Sequence, residues 1–210
     1  MSDQQSSSNT SIKIVLLGES GVGKTNLLNM SMGNEFDKKA NSSISSSFMK
    51  GIYKLNNMEY TYYLWDTAGQ ESYRAINKIF IKNSKIVVFV YSIENYQSFK
   101  ELDYWIKVAK DELSDEPVFA IFGNKADLVE EKEVPDEEAE KFASDNNMKI
   151  KFTSAMVNPK GVKTYFDELI LDYINKSGIK GEVSQDNEEN TKENIKLNNV
   201  KHDKKNKKCC

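Results

Sequence analysis

The stretch Gly18-Glu19-Ser20-Gly21-Val22-Gly23-Lys24-Thr25 decides how this chain folds. It fits the pattern G-x-x-x-x-G-K-[ST] and lies between the apolar run Ile12–Leu17 and the helical pattern Lys24–Met32. Glycines in this position let the backbone wrap around an anion, which the helix N-terminus also faces. The stretch therefore predicts a phosphate-binding loop, with Lys24 reaching nucleotide phosphates and the Thr25 hydroxyl available to Mg²⁺.

Outward from this loop, apolar runs alternate with helical patterns. Alternating apolar and polar positions predict strands at Phe48–Leu55 and Met58–Trp65. The apolar runs Ile86–Tyr91 and Val118–Phe122 predict two more strands, and Lys149–Phe152 is a weaker third pattern. Helical spacing predicts helices at Ser98–Lys110, Asp136–Asn146 and Gly161–Ile174. The pair of strands around Asn56-Asn57 forms a hairpin, and the others alternate with crossover helices. We expect an α/β fold: a mostly parallel six-stranded sheet with one antiparallel edge strand, helices on both faces and ligands at the carboxyl strand ends.

Composition and charge place the chain in the soluble globular class. Of its 210 residues, 39% are hydrophobic and 29% charged, and the formal net charge of −3 gives no reason to expect a nucleic-acid partner. No apolar run approaches the roughly 20 residues of a membrane helix, and the N-terminus lacks the apolar stretch of a signal peptide. We expect the protein on the cytosolic side.

The apolar pattern also divides the chain. Residues 1–10 are polar and predict a disordered extension, residues 11–176 a single domain, and residues 177–210 a flexible tail. Both cysteines, Cys209 and Cys210, end that tail, which excludes an intradomain disulfide and predicts a terminal modification.

A second motif indicates which base the nucleotide carries. Asn124-Lys125-Ala126-Asp127 directly follows the predicted strand Val118–Phe122, at the sheet edge that carries the phosphate loop. The Asp127 carboxylate can accept two parallel hydrogen bonds from guanine N1–H and its 2-amino group, a pair that adenine does not offer. The motif therefore favours guanine.

With these motifs, the chain resembles the Ras superfamily of small GTPases, and its Rab branch in particular, over about residues 11–176. The resemblance includes Trp65-Asp66-Thr67-Ala68-Gly69-Gln70-Glu71, Thr153-Ser154-Ala155 and the terminal Cys209-Cys210. It implies the small G domain of the P-loop NTPases, which binds GTP and GDP with Mg²⁺ and hydrolyses GTP slowly.

The resemblance also implies a set of site residues. The nucleotide site would comprise Gly18, Ser20, Gly21, Val22, Gly23, Lys24, Thr25, Asn26, Phe36, Ser43, Asp66, Gly69, Asn124, Lys125, Asp127, Ser154, Ala155 and Met156. Thr25, Ser43 and Asp66 would hold Mg²⁺, and Gln70 would orient the attacking water. Phe36 would pack on the guanine ring, Lys125 would lie along it, and Ala155 would donate its N–H to the guanine carbonyl.

Two features bear on turnover. The one arginine, Arg74, lies outside the loop of residues 31–47, where a built-in arginine finger would be expected, so intrinsic hydrolysis should be slow, of order 10⁻⁴ s⁻¹. Ser43-Ile44-Ser45 stands where Rab proteins have Thr, Ile and Gly, and Met156 replaces a usual lysine. A GTP-binding interaction module with negligible hydrolysis therefore stays open as an alternative, whereas a small-molecule kinase would need more basic residues.

The terminal cysteines resemble the double prenylation signal of Rab proteins. Lysines between residues 201 and 208 would add attraction to anionic lipid. The resemblance implies a switch in vesicle traffic at the cytoplasmic face of an intracellular or the plasma membrane, with a cytosolic pool. It also implies an exchange factor, an activating protein, effectors, a dissociation inhibitor and an escort protein as partners.

Overall fold

Alternating strands and helices build one sheet with helices on both faces. The computed structural model describes residues 11–34, 47–66, 79–114 and 117–183. Its strands are β1 (Ile12–Leu17), β2 (Ser47–Leu55), β3 (Met58–Asp66), β4 (Ile86–Ser92), β5 (Val118–Asn124), β6 (Lys149–Phe152) and β7 (Glu182–Val183). The helices are α1 (Lys24–Ser31), α2 (Tyr96–Lys100), α3 (Leu102–Glu112), α4 (Asp136–Asp145) and α5 (Pro159–Ser177).

The strand order is β2-β3-β1-β4-β5-β6, and every neighbouring pair is parallel except the antiparallel pair β2 and β3. Strand register aligns Leu16 with Asp66, and Ser92 with Asn124. The end of β3 and the end of β5 therefore lie on one edge of the sheet, beside the loop that follows β1. The predicted α/β fold, with its antiparallel edge strand, is confirmed.

Two apolar layers hold the helices on the sheet. In β4, Ile86, Val88 and Val90 belong to the cluster that includes α1 and α5 residues, whereas Val87 and Phe89 belong to the cluster with α3 and α4 residues. Successive side chains of a strand point to opposite faces, so a strand covered on both faces is apolar at every position. Each fully buried side chain of this kind contributes about 1.5–3 kcal/mol to folding.

Helix boundaries differ from the periodic pattern where capping decides them. The predicted helix Ser98–Lys110 is two helices that meet at Glu101, and the first begins earlier because the Asn95 side chain accepts a hydrogen bond from the Ser98 N–H at 2.9 Å. The last helix is longer than Gly161–Ile174. It begins after the Asn158 cap and ends at Gly178, whose φ of 64° is the left-handed geometry that terminates helices.

The sheet has a seventh strand that the apolar pattern did not predict. β7 pairs antiparallel with the start of β3, where Met58 aligns with Val183, and Ile179 packs against the core. This segment lies at the start of the predicted tail. Both residues of β7 are exposed, so backbone pairing with β3, rather than an apolar face, holds this strand. Residues 1–10 and 184–210 lie outside the described residues, and among the described helices none is long and apolar enough to cross a membrane.

Candidate nucleotide-binding site

The loop between β1 and α1 is shaped by glycines that no other residue could replace without strain. Gly18 and Gly23 have φ of 149° and 94°, in the region that L side chains rarely adopt. A Cβ at Gly18 would overlap the Val90 carbonyl oxygen, and one at Gly23 would overlap the Asn124 side-chain amide. The loop therefore lies directly against β4 and β5, and the N-terminus of α1 follows a residue with no side chain to cap it.

The Lys24 side chain folds back over this loop. Its ammonium is buried and donates hydrogen bonds to the carbonyl oxygens of Gly18 at 2.9 Å and Glu19 at 2.8 Å. Burial lowers the pKa of Lys24 to about 8, although the charges of Asp66 and Glu19 act in the opposite direction. An anionic phosphate at the loop would favour the charged ammonium.

Thr25 and Asp66 bring hard oxygen atoms together at the phosphate loop. The Thr25 hydroxyl donates a hydrogen bond of 2.7 Å to Oδ2 of Asp66, which is buried at the end of β3. A hydroxyl and a carboxylate are ligands that Mg²⁺ accepts. The donor set of these two residues therefore fits the ion, and Ser43, the third predicted ligand, lies outside the described residues.

A cleft of about 390 Å³ opens beside the phosphate loop. It is lined by Gly23, Asn26, Asn124, Lys125, Asp127, Leu128, Ala155 and Met156. Of these lining residues, Leu128 alone was not singled out from the sequence, although its apolar side chain next to Asp127 suits one wall of a base pocket. The cleft brings residues from three separate segments of the chain to one place.

Asn124 connects the two ends of this site. Its side-chain Nδ2 donates to the Val22 carbonyl oxygen at 2.8 Å, and its Oδ1 accepts a hydrogen bond of 3.2 Å from the Thr153 hydroxyl. Both hydrogen bonds are buried, because Val22, Asn124 and Thr153 are all shielded from water, and burial strengthens them relative to surface hydrogen bonds. Asn124 thus holds the phosphate loop against β5 and the segment after β6.

Asp127 and Ser154 form a second link within the cleft. The Ser154 hydroxyl donates to Oδ1 of Asp127 at 2.5 Å and accepts a hydrogen bond of 3.0 Å from the Val157 N–H. The Ala126 N–H also donates to the Thr153 carbonyl oxygen at 2.9 Å. These contacts orient the Asp127 carboxylate. Ser154 therefore shapes the cleft by holding Asp127 in place.

Three polar residues of the site have no role that a motif predicts. The Thr153 hydroxyl donates to Asn124 at 3.2 Å, the Trp105 indole donates to Glu19 at 3.3 Å, and Glu94 pairs with Lys125 at 2.5 Å. Glu94 follows the end of β4, and this position at the carboxyl edge was the signal that could have identified it.

Several predicted site residues lie outside the described residues. They are Phe36, Ser43, Gly69, Gln70, Cys209 and Cys210. The assignments of the attacking-water residue, the third Mg²⁺ ligand, the ring contact and the lipid attachment therefore stay predictions.

Comparison with known proteins agrees with this architecture. The sequence matches the Ras family over residues 13–175. Ras-related protein Rab-11C of Dictyostelium discoideum is 36% identical over 160 residues, which cover 76% of this chain and 71% of that protein. GTP-binding protein ypt3 of Schizosaccharomyces pombe is 39% identical over 144 residues (69% and 67%), and Ras-related protein Rab-25 of Canis lupus familiaris 34% over 164 residues (78% and 76%). The chain therefore belongs to the Ras family, as a divergent Rab-type small GTPase.

Proposed function

We propose that this GTPase binds GTP and GDP with Mg²⁺ in the cleft beside the phosphate loop, hydrolyses GTP slowly and works as a membrane-anchored switch in vesicle traffic. The observation that carries the proposal is the Asn124 contact with Val22 at 2.8 Å. It joins the phosphate loop directly to Asn124, which lines the base cleft, so that one nucleotide could contact both. Related proteins that carry Rab and GTP-binding names support the same reading.

The base end of the cleft suits guanine. Asp127 would accept hydrogen bonds from N1–H and the 2-amino group, while the Ala155 N–H would donate to the guanine carbonyl. Lys125 and Met156 would lie on the faces of the ring. Asp127, Lys125, Ala155 and Met156 all line the cleft, which supports these roles.

The phosphate end suits a triphosphate. The backbone N–H groups of the loop from Gly18 and the N-terminus of α1 would bind the phosphate oxygens, and Lys24 would move from its carbonyl partners to the β- and γ-phosphates. Thr25 and Asp66 would hold Mg²⁺, which when bound neutralises charge on those phosphates. Gln70 would orient the attacking water.

Loss of the γ-phosphate would release the loops around Ser43 and Gly69, and this change would be the output of the switch. An exchange factor, an activating protein and effectors would act on those loops. An escort protein and a dissociation inhibitor would handle the prenylated tail. Two lipid chains at Cys209 and Cys210 would anchor the protein stably, where one chain binds only marginally.

Single-turnover hydrolysis by the full chain tests the enzymatic part. The protein is loaded with GTP, Mg²⁺ is added, and release of phosphate is followed for the wild type and Gln70→Leu, with ATP as the competing nucleotide. We expect slow cleavage of GTP, a lower rate in Gln70→Leu and no competition by ATP. If the wild type binds GTP tightly but does not cleave it, and Ser43→Thr restores cleavage, the result would instead support the non-hydrolysing interaction module.

Prenylation tests the anchoring part. The full chain and a Cys209→Ser, Cys210→Ser double variant are incubated with a geranylgeranyl transferase and its escort protein. We expect two lipids by mass on the wild type, none on the variant, and vesicle binding of the wild type only. Vesicle binding by the unmodified variant would contradict lipid anchoring.

A further inference from the structure

The Lys125 side chain, which lines the base cleft, is tied to an acidic residue from another strand end. Its ammonium pairs with Oε1 of Glu94 at 2.5 Å. Both side chains are about a third exposed, at 32% and 30%, so the pair stands at the rim of the cleft rather than in open solvent. No role had been assigned to Glu94 by the motifs.

Glu94 is itself held in place by contacts of the loop after β4. The Ile93 N–H donates to the Asn124 carbonyl oxygen at 3.0 Å, which binds this loop to the residue before Lys125. The buried Ser92 hydroxyl donates to Oε1 of Glu94 at 3.4 Å. On the far side, the Tyr96 N–H donates to Oε2 of Glu133 at 2.8 Å. The carboxylate therefore stands on a fixed piece of backbone.

A partner matters for Lys125 because a lysine side chain is long and samples many conformations when nothing holds its ammonium. The Lys125 φ of 61° is left-handed, and a lysine side chain loses conformational entropy when it is fixed. The ion pair at the end of the lysine side chain restricts the ammonium and leaves the methylene groups beside the base position. The restriction exists before any nucleotide arrives, so less ordering remains to be done on binding.

We propose that Glu94 is a positioning residue for the base: through its ion pair with Lys125 it keeps the lysine chain against the guanine ring and slows nucleotide release. The inference rests on the proposed function, because it needs a purine nucleotide in the cleft. GDP and GTP share the same base, and Glu94 acts at the base end. Glu94 therefore affects the release of both nucleotides equally.

The expected size follows from the exposure of the pair. Partly exposed ion pairs are weak and screened by salt, so loss of the Glu94 charge speeds release about two- to fivefold at low salt. At high salt the difference between wild type and Glu94→Gln shrinks. A residue that merely supported the fold would show neither this salt dependence nor any dependence on Lys125.

The experiment is a double-variant cycle on the full chain loaded with fluorescent GDP and Mg²⁺. Release into excess GDP is timed at low and high salt for wild type, Glu94→Gln, Lys125→Gln and the double variant, and repeated with fluorescent non-hydrolysable GTP. We expect Glu94→Gln to speed release of both nucleotides in the wild-type background and to change nothing when Lys125 is already Gln. Where the Lys125 variants release too fast to time, equilibrium competition gives the same cycle.

Asp172→Asn is the matched control. It removes the 2.6 Å ion pair between Lys149 and Asp172, at the start of β6 and so at the opposite sheet edge, and we expect release to stay unchanged. An equal acceleration by Glu94→Gln in both backgrounds, or none in either, would overturn the inference while leaving the proposed function intact. If the wild type does not retain fluorescent GDP, the proposed function fails and the inference falls with it.

Discussion

Replacing Asp127 with alanine tests how the cleft recognises its base. Asp127 is half-buried, and its carboxylate already accepts one hydrogen bond from Ser154 at 2.5 Å. A carboxylate has about four acceptor sites, so at least two stay available for guanine N1–H and the 2-amino group. In Asp127→Ala both donors of the base lose their partner.

The size of the loss follows from these two bonds. A hydrogen bond to a charged group contributes about 1.5–3 kcal/mol, and partial exposure puts Asp127 at the lower end. Two bonds then amount to about 3 kcal/mol, or roughly a 100-fold weaker affinity for GDP. Inosine diphosphate lacks the 2-amino group and so loses one bond. The wild type should therefore bind it about tenfold more weakly than GDP.

The assay is calorimetric titration of the nucleotide-free chain with GDP and with inosine diphosphate, both with Mg²⁺ at 25 °C. We expect the two ligands to bind Asp127→Ala equally. Ser154→Ala serves as the control, because it removes the hydrogen bond to Asp127 but keeps the carboxylate; it should lose only a few-fold in affinity and keep the preference for GDP. A tenfold preference for GDP that persists in Asp127→Ala would refute the reasoning, because another group would then read the 2-amino position.

Three further variants test other parts of the molecule. Gly23→Ala puts a Cβ at a φ of 94° and against the Asn124 side chain, and we expect at least a tenfold loss of GDP affinity by fluorescence titration; an affinity like that of the wild type would contradict the close approach. Gln70→Leu should lower basal GTP cleavage with GDP affinity nearly unchanged, and an unaltered rate would remove Gln70 from its predicted role. Gly181→Ala places a Cβ 2.7 Å from the Glu59 carbonyl oxygen, so amide exchange at β7 should quicken while the melting temperature hardly moves; unchanged protection would show that β7 stays paired.

The sequence pattern predicted those strands and turns whose structure depends on the residues of the segment itself. The bounds of β1 agree with the apolar run Ile12–Leu17, because a strand covered by helices on both faces must be apolar, and those of β6 agree with the weaker pattern Lys149–Phe152. The turn residues Asn56 and Asn57 have φ of 50° and 62°, as an Asn-Asn hairpin turn requires. β7 could not be predicted in the same way, since a two-residue strand has no periodicity and is held by the backbone of β3.

In the candidate site, too, single residues were predictable from the sequence, whereas contacts between distant segments were not. The motifs predicted Lys24, Thr25 and Asp127 because the role proposed for each demands its residue type. Motifs do not predict contacts between distant segments, such as the one from Asn124 to Val22 or from Glu94 to Lys125. Those contacts depend on strand order, which brings β1, β4 and β5 side by side only after the chain has folded.

The positions of β1 and β5 in one sheet couple the phosphate end of the site to its base end. The phosphate loop follows β1 and the base cleft follows β5, and the seam between them is the approach of Gly23 to Asn124 with its hydrogen bond to Val22. Because the seam is buried and leaves no room for a Cβ, the loop cannot shift without moving Asn124 and the cleft wall that it supports. An exchange factor that pulls the phosphate loop away from β5 would therefore weaken the grip on the base as well, so that opening one end of the site promotes release from both.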